Sequence, residues 1–451
     1  MAIRAATWKD TFKAALVDEQ AGRVDDAIGK LNLAARQAPL EGAVYRQLGV
    51  LLHKQERYEA ALGTFRRALE RLPDSAVQWS NIGITLRDLD RFDEAAEAMA
   101  HACALAPENA KYAFRQGYCL LKAMRPDEAV PCLDRAVKLK DPEGDAALTL
   151  ALALLTDGQF DRGWDAYEAR WGHKTSIAEP WPEKRWDGSR IDGTLLLSSE
   201  QGLGDTIHFV RYAAMARERC SRLVLRSHKG SQSLMRNVDG VDEVIVRGEP
   251  TPPFDAVLGL LSLPRIFGTR MGTIPAQVPY IMPGQAAREK AQGLFAPLAS
   301  LRKIGIVWAG NPKHSEDRRR SIPFGKFLEL LAVPGTALIS LQKGPRVEEA
   351  AESGVAGLIS DMQRRMETLE DTAALVSQLD LVITCDTAVA HLAGAMGKPV
   401  WILLSHTADW RWLTKREDSP WYPSARLFRQ SIPGDWDEVF ARVVASLKAL
   451  P

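Results

Sequence analysis

The sequence predicts two kinds of structure in series: an α-helical repeat array, then two α/β lobes built on parallel sheets. Three observations predict this. Small residues recur every 34 positions through the first third of the chain. After Gly193 the apolar residues gather into short runs that alternate with amphipathic helices. Three of those runs lead into glycine-bearing or charged segments suited to turning a strand into a helix.

The repeat is carried by four columns. Ala27, Ala61, Ala95, Ala129 and Gly163 stand 34 residues apart, as do Ala15, Gly49, Gly83, Gly117 and Ala151. Val24, Tyr58, Phe92, Pro126 and Phe160 form a third column, and Pro39, Pro73 and Pro107 a fourth. Small residues let two helices approach closely, the larger side chain wedges the pair, and proline ends the second helix. Four well-kept repeats and a partial fifth span about residues 6–171. This length and small/large order resemble the tetratricopeptide repeat (TPR) family, which implies a superhelix whose concave face binds a peptide or protein. The column residues themselves are packing positions. Candidate contacts to a protein acceptor therefore lie between the columns, at Tyr45, Gln47, Trp79, Asn81, Tyr112 and Arg115, of which Trp79 is equally suited to burial.

Residues 172–192 break the helical period and carry Trp181 and Trp186. A flexible linker would be rich in glycine and serine, so an ordered connector is expected here. The expected divisions are thus 1–171 for the array, 172–192 for the connector, 193–285 for a first lobe and 286–451 for a second.

In the first lobe the strand candidates are LLLSS, RLVLRS, VDEVIV and FDAVLGL. A helix after Pro283 leads to the second set: KIGIVWAG, ALISLQ, GLISD, DLVITCD and PVWILL. A helix over about Trp436 to Leu450 closes the chain. Strands alternating with helices read as doubly wound parallel sheets, whose ligands lie at the carboxyl ends of the strands. The strand-end segments are therefore the ones to search.

The first is SSEQGLGDTIHFVRYA, Ser198 to Ala213, with a helix expected from about Thr206. Asp205 at the turn can take a proton from a hydroxyl in the cleft, or it can cap the helix; the local sequence allows both. The second is VWAGNPKHSEDRRRSIP, Val307 to Pro323, where Lys313, Arg318, Arg319 and Arg320 gather positive charge suited to phosphate. Three adjacent arginines cannot all point inward. The third is LDLVITCDTAVAHLAGAMGKPVWILL, Leu379 to Leu404. Its helix would start at Thr387, offering backbone N–H groups and a positive dipole end to a phosphate, and stop at Gly397. His391 on that helix is either a ligand contact or a buried, hydrogen-bonded histidine.

DTAVAHLAGAMGKP resembles the signature of the heptosyltransferase-like glycosyltransferases, family 9, and GLGDTIHFVR resembles their early G-D motif. The similarity covers about residues 194–430 in motif order. It implies the GT-B architecture of two Rossmann-like lobes around one cleft, a nucleotide-sugar donor, and Asp205 as the base. It also implies ligand roles for Asp386, Thr387 and His391; the expected donor contacts are these with Gly204, Asn311, Arg318, Arg320, Ser321, Gln342 and Ala388, and His391 is a second candidate for the catalytic base. The chain departs from true heptosyltransferases in its repeat array, its short first lobe, and arginines where those enzymes place a functional lysine. It is more similar to bacterial TPR–glycosyltransferase fusions, including those of flagellar modification loci. That resemblance implies a CMP-nonulosonic acid donor and a serine or threonine of flagellin as acceptor. HTADWRWL and the tail SPWYPSARLFRQ also look typical of that fusion group.

The resulting expectation is a metal-independent, inverting glycosyltransferase that needs no cofactor beyond its donor. Three rivals remain: an ADP-heptose transferase acting on protein or lipopolysaccharide, a non-catalytic scaffold, and a sugar-nucleotide epimerase. Composition narrows the field further. A net charge of +1 with 25% charged residues lacks the basic bias of a nucleic-acid binder. Five scattered cysteines fit a reducing compartment and give no metal-site spacing. The longest apolar run, Ala146 to Leu155, is about half of what a bilayer needs, and the first residues lack an apolar signal core. A cytoplasmic protein without a membrane span is expected.

Overall fold

The chain divides into two compact units, residues 1–154 and 155–451. The computed structural model describes residues 7–141, 144–172, 181–314 and 316–450.

The first unit is built from antiparallel helix pairs: α1 (Trp8–Gln20) with α2 (Val24–Gln37), and α3 (Gly42–Lys54) with α4 (Tyr58–Arg71). They are followed by α5 (Ala76–Asp88) with α6 (Phe92–Leu105) and α7 (Ala110–Lys122) with α8 (Pro126–Lys138). α9 (Ala146–Thr156) runs through the division between units. The small-residue columns sit where paired helices nearly touch. A Cβ added to Gly49, Gly83 or Gly117 would lie 2.6 Å from Phe65, 2.7 Å from Met99 or 2.5 Å from Leu133. Ala27, Ala61, Ala95 and Ala129 are fully buried.

The structure adds a column that the sequence hides. Gly22, Glu56, Asp90 and Met124, again 34 residues apart, all turn the chain with left-handed φ between 56° and 75°. A left-handed conformation costs a non-glycine residue roughly 1–2 kcal/mol.

The second unit opens with α10 (Phe160–Tyr167), the helix that carries the last repeat columns. Trp164 on α10 is buried and donates its Nε1–H to the Thr269 carbonyl at 2.8 Å. Just beyond, Arg170 is 2% exposed and donates to Glu200 at 2.8 Å and to Ser262 at 2.7 Å. The sequence period therefore outlasts the packing unit: this helix keeps the repeat pattern but spends its apolar face on both lobes of the second unit, Phe160 and Trp164 meeting Trp421 with ring centroids 5.9 and 6.3 Å away.

The first lobe holds β1 (Thr194–Ser198), β2 (Arg222–Ser227), β3 (Glu243–Val246) and β4 (Ala256–Gly259) in the order β3-β2-β1-β4. The other lobe holds β5 (Arg302–Val307), β6 (Thr336–Ser340), β7 (Ile359–Asp361), β8 (Leu381–Cys385), β9 (Val400–Leu404) and β10 (Ala425–Arg429). Its order is β10-β9-β8-β5-β6-β7, and every pairing in both sheets is parallel. This is the doubly wound order, complete in the second sheet and shortened in the first. Strand order reverses between β1 and β4, and again between β5 and β8. Crevices form at such points, and all three strand-end motifs follow β1, β5 or β8.

Three details correct the sequence reading. The helix after β1 starts at Leu203 rather than near Thr206. The tail Ser419 to Gln430 contains β10, an edge strand paired with β9. Of the expected connector, residues 173–180 lie outside the described residues, while its end packs on the first sheet. Trp186 is 2% exposed and its N–H donates to Val257 at 2.8 Å; Trp181 meets Phe254 with ring centroids 5.0 Å apart.

The left-handed column yields a prediction. Glu56 is exposed, so Glu56→Gly is expected to stabilise the array by about 1 kcal/mol. A thermal melt followed by far-ultraviolet circular dichroism checks it. An unchanged or lowered first transition would contradict the assignment.

Candidate active site

The carboxyl ends of the two sheets enclose a cavity of about 1020 Å³. Its lining draws on the segment after β1 (Gln201 to Asp205), the loop after β5 (Ala309 to His314, with Arg320), Gln342 to Pro345 after β6, Asp386 to Leu392 after β8, and Asp409 and Arg411 after β9.

Asp205 is the third residue of the helix Leu203–Phe209. One carboxylate oxygen accepts from the Gly202 N–H at 2.8 Å, so the capping role is real. The other oxygen pairs with Arg411, which comes from the second lobe. Arg411 is itself buried, donates to Asp409 at 2.9 Å, and lies over the rings of Trp410 and Phe209 at 4.5 and 5.4 Å. Asp205 is thus fixed in orientation while still lining the cavity.

Gly204 stands at the closest approach of the two lobes. A Cβ there would lie 2.9 Å from His391 Cδ2. Glycine is present because the helices Leu203–Phe209 and Ala388–Ala395 meet at this point. His391 is 6% exposed; its Nδ1 lies 2.9 Å from the Tyr422 hydroxyl, and its Nε2 is 3.9 Å from Asp386. Burial, reinforced by Arg411 and Arg211, holds its pKa well below the usual histidine value. Asp386 shows the opposite shift: burial, then the neighbouring Asp409 carboxylate, raises its carboxyl to about 6.

The helix Ala388–Ala395 begins at Thr387, whose side chain bonds to Thr384 at 3.1 Å instead of capping the helix. Thr387, Ala388 and Val389 line the cavity, so the helix start faces it. At the other end Gly397, at φ 69°, stops the helix as the sequence suggested.

In the second motif the three arginines diverge. Arg320 lines the cavity and donates to Asp317 at 3.3 Å. Arg319 pairs with Glu316 at 2.9 Å, and Arg318 is exposed and outside the lining. Asn311 lines the cavity, its side chain accepting from the Lys313 N–H at 3.0 Å. Ser321 is buried behind the lining and accepts from Gly310 N–H at 3.2 Å. Gln342 accepts from Trp308 and Ala309 and donates to the carbonyls of Ala309 and Lys343, bracing the end of β5. Ser321 and Gln342 therefore shape the loop that carries Arg320.

Sequence reading did not single out Asp409, nor Lys229, Lys343 and His314 in the same lining, whereas Arg411 is the arginine of HTADWRWL, a segment that looked able to line a donor pocket. Its tryptophans prove to be packing residues: Trp410 and Trp412 are buried, and Trp412 stacks on His391 with centroids 5.4 Å apart.

The acceptor candidates lie on the first helices of their repeats and are all half-buried. Trp79 stacks on His101 at 4.3 Å and donates to the Pro73 carbonyl at 3.2 Å. Arg115 donates to Ser80 at 3.0 Å and Gln47 to Glu19 at 2.6 Å. Tyr45, Asn81 and Tyr112 occupy neighbouring positions on α3, α5 and α7. Among the described residues, no group of three or more His, Cys, Asp or Glu is placed to share a metal ion, and no helix is long and apolar enough to cross a membrane.

Comparison with known proteins defines the class. A tetratricopeptide repeat model matches residues 12–76, 81–143 and 120–171. A model described as glycosyltransferase family 9 (heptosyltransferase) matches residues 350–433, which include the β8 motif and Arg411. The chain carries TPR repeats followed by a glycosyltransferase family 9 domain, which supports a glycosyltransferase. Protein FlbA of Caulobacter vibrioides is 29% identical over 336 residues, covering 68% of this chain and 56% of FlbA, so the chain spans just over half of that relative's length. Among solved structures, MamA from Desulfovibrio magneticus RS-1 is 18% identical with a TM-score of 0.33, covering 36% of this chain and 90% of that one. YrrB, a TPR protein, is 23% identical with a TM-score of 0.30, covering 32% and 74%.

The buried histidines set a pH dependence. His208 and His391 both have folded pKa values well below 6.5, so the unfolded chain binds protons first as pH falls. Their contribution to stability is complete above about pH 6.5 and is lost below it. Asp386, at about 6 in the fold against 3.8 unfolded, binds its proton first in the folded state and acts in the opposite sense between pH 6 and 4. Melting temperatures between pH 8 and 5 should therefore fall less steeply for His208→Gln than for the wild type. Parallel curves would contradict the buried neutral histidine.

Proposed function

We propose that residues 155–451 form an inverting, metal-independent GT-B glycosyltransferase that moves a sugar from a nucleotide-sugar to a serine or threonine of a protein held by the repeats. The observation that carries this reading is the cavity itself. A fixed carboxylate, Asp205, faces it from the first lobe, and a helix start with Arg320 beside it faces from the second. In transfer, a bond forms from the acceptor oxygen to the anomeric carbon as the bond from that carbon to the phosphate oxygen breaks. The hydroxyl proton passes to Asp205, and the leaving phosphate keeps the electron pair. The transition state is oxocarbenium-like. Arg320 and the backbone N–H groups near Thr387 and Ala388 neutralise the departing charge, and no cofactor enters.

The resemblance of the motifs to flagellar-modification fusions favours flagellin as acceptor and CMP-nonulosonic acid as donor. The description of the matching family, heptosyltransferase, supports a heptose as the second donor reading, for which ADP-heptose is the candidate. The five cysteines are unpaired, two of them in the second unit, which suits action in the reducing cytoplasm.

Intact-mass analysis of flagellin and other captured proteins, from cells with and without the gene, tests this. A mass increment that depends on the gene is expected, and its size separates a nonulosonic acid from a heptose. In purified transfer assays Asp205→Asn should slow the reaction by about a hundredfold or more, and Arg320→Ala by roughly a hundredfold. An acceptor mass that never depends on the gene would end the protein-acceptor reading.

A further inference from the structure

The Tyr422 hydroxyl lies between two histidines, 2.9 Å from His208 Nδ1 and 2.9 Å from His391 Nδ1. It brings one proton to the two contacts. The neighbouring Tyr280 hydroxyl donates to the Ile207 carbonyl and accepts from Arg211, each at 3.0 Å, so it has no proton left for Tyr422. Both histidine contacts are hydrogen bonds when the Tyr422 proton goes to one imidazole and the other imidazole donates to the Tyr422 oxygen.

The far nitrogens decide which is which. His208 is fully buried among Phe209, Trp410 and Trp421, and its Nε2 has no hydrogen-bond partner among the described residues. If His208 accepted at Nδ1, its proton would sit on Nε2 as a buried donor with no acceptor. Orphaned N–H donors are rarer and costlier than an unused ring lone pair. His391 Nε2 instead faces Asp386 at 3.9 Å. A lone pair there would oppose a carboxylate, whereas an N–H would be attracted to it.

We infer that a fixed relay, His208 Nδ1–H to Tyr422 and Tyr422 O–H to His391 Nδ1, locks His391 as the Nε2–H tautomer. Tyr422 and His208 are then positioning residues for His391. His391 presents a hydrogen-bond donor to the cavity, not a base. Resting on the transferase reading above, this leaves proton removal to a carboxylate and gives His391 the role of donating to Asp386 or to a leaving-group oxygen.

Long-range 1H–15N correlation spectra of the full-length protein labelled with 15N-histidine test the relay, with His391→Gln and His208→Gln assigning the signals. At pH 7.5 the expected spectrum shows His391 protonated only on Nε2 and His208 only on Nδ1. His391 protonated on Nδ1, or on both nitrogens, would overturn the inference. Tyr422→Phe keeps the ring that packs against Gly394 but removes the hydroxyl. It should shift His391 toward a mixture of tautomers; an unchanged tautomer would also overturn the relay. The spectrum requires no donor or acceptor, so absent glycosylation beside the expected spectrum counts against the transferase reading alone.

Discussion

The site depends on one meeting point, where the helices Leu203–Phe209 and Ala388–Ala395 touch and Asp205 pairs with Arg411. Each sheet alone offers only open strand ends. Together they close a cavity because Gly204 lets His391 within contact and because a buried guanidinium crosses from one lobe to the other. Burying Arg411 unpaired would cost several kcal/mol; Asp205 and Asp409 offset that cost, and removing one partner of such a pair typically costs about 3–5 kcal/mol. The same carboxylate thus holds the lobes together and lines the cavity. An Asp205 variant consequently reports on structure as well as chemistry, and Arg320, whose ion pair is with Asp317 three residues away, is the cleaner probe of ligand binding.

The fold was legible where local physics dominates. Columns of alanine and glycine required close helix pairs, and the change to short apolar runs after Gly193 required parallel strands. The left-handed turns escaped notice because Glu56, Asp90 and Met124 share no side-chain property; the backbone imposes that column, not the side chains. The end of the array was misleading for a different reason. α10 keeps the repeat signature at Phe160 and Gly163 but packs with the second unit, and a period in sequence carries no record of which surface it serves. β10 was hidden inside a polar-looking tail because an edge strand needs few apolar residues: Leu427 and Phe428, on opposite faces, are buried while Arg426 is exposed.

Much of the site was legible too, since the switch points of doubly wound sheets concentrate ligands at the ends of β1, β5 and β8. Asp205, Arg320, Asp386, Thr387, Ala388 and His391 all reach the one cavity. Composition could not say that Asp205 both caps its helix and pairs across the cleft, because Arg411 is 206 residues away. Nor could it separate Arg320 from Arg318 and Arg319, which a short helical turn points in different directions. Gln342 lines the cavity as well, yet its bracing of the end of β5, like the Ser321 bond to Gly310, appears only in the folded chain.

The central claim is that this cavity receives the phosphate of a nucleotide-sugar. Calorimetric titration of the full-length protein with CMP and with ADP, repeated on Arg320→Ala, tests it most directly. The account predicts that one nucleotide binds at a single site and that the substitution weakens it by about tenfold or more, as loss of a hydrogen bond to a charged group implies. Binding of equal strength in wild type and Arg320→Ala, or no binding of either nucleotide, would contradict it.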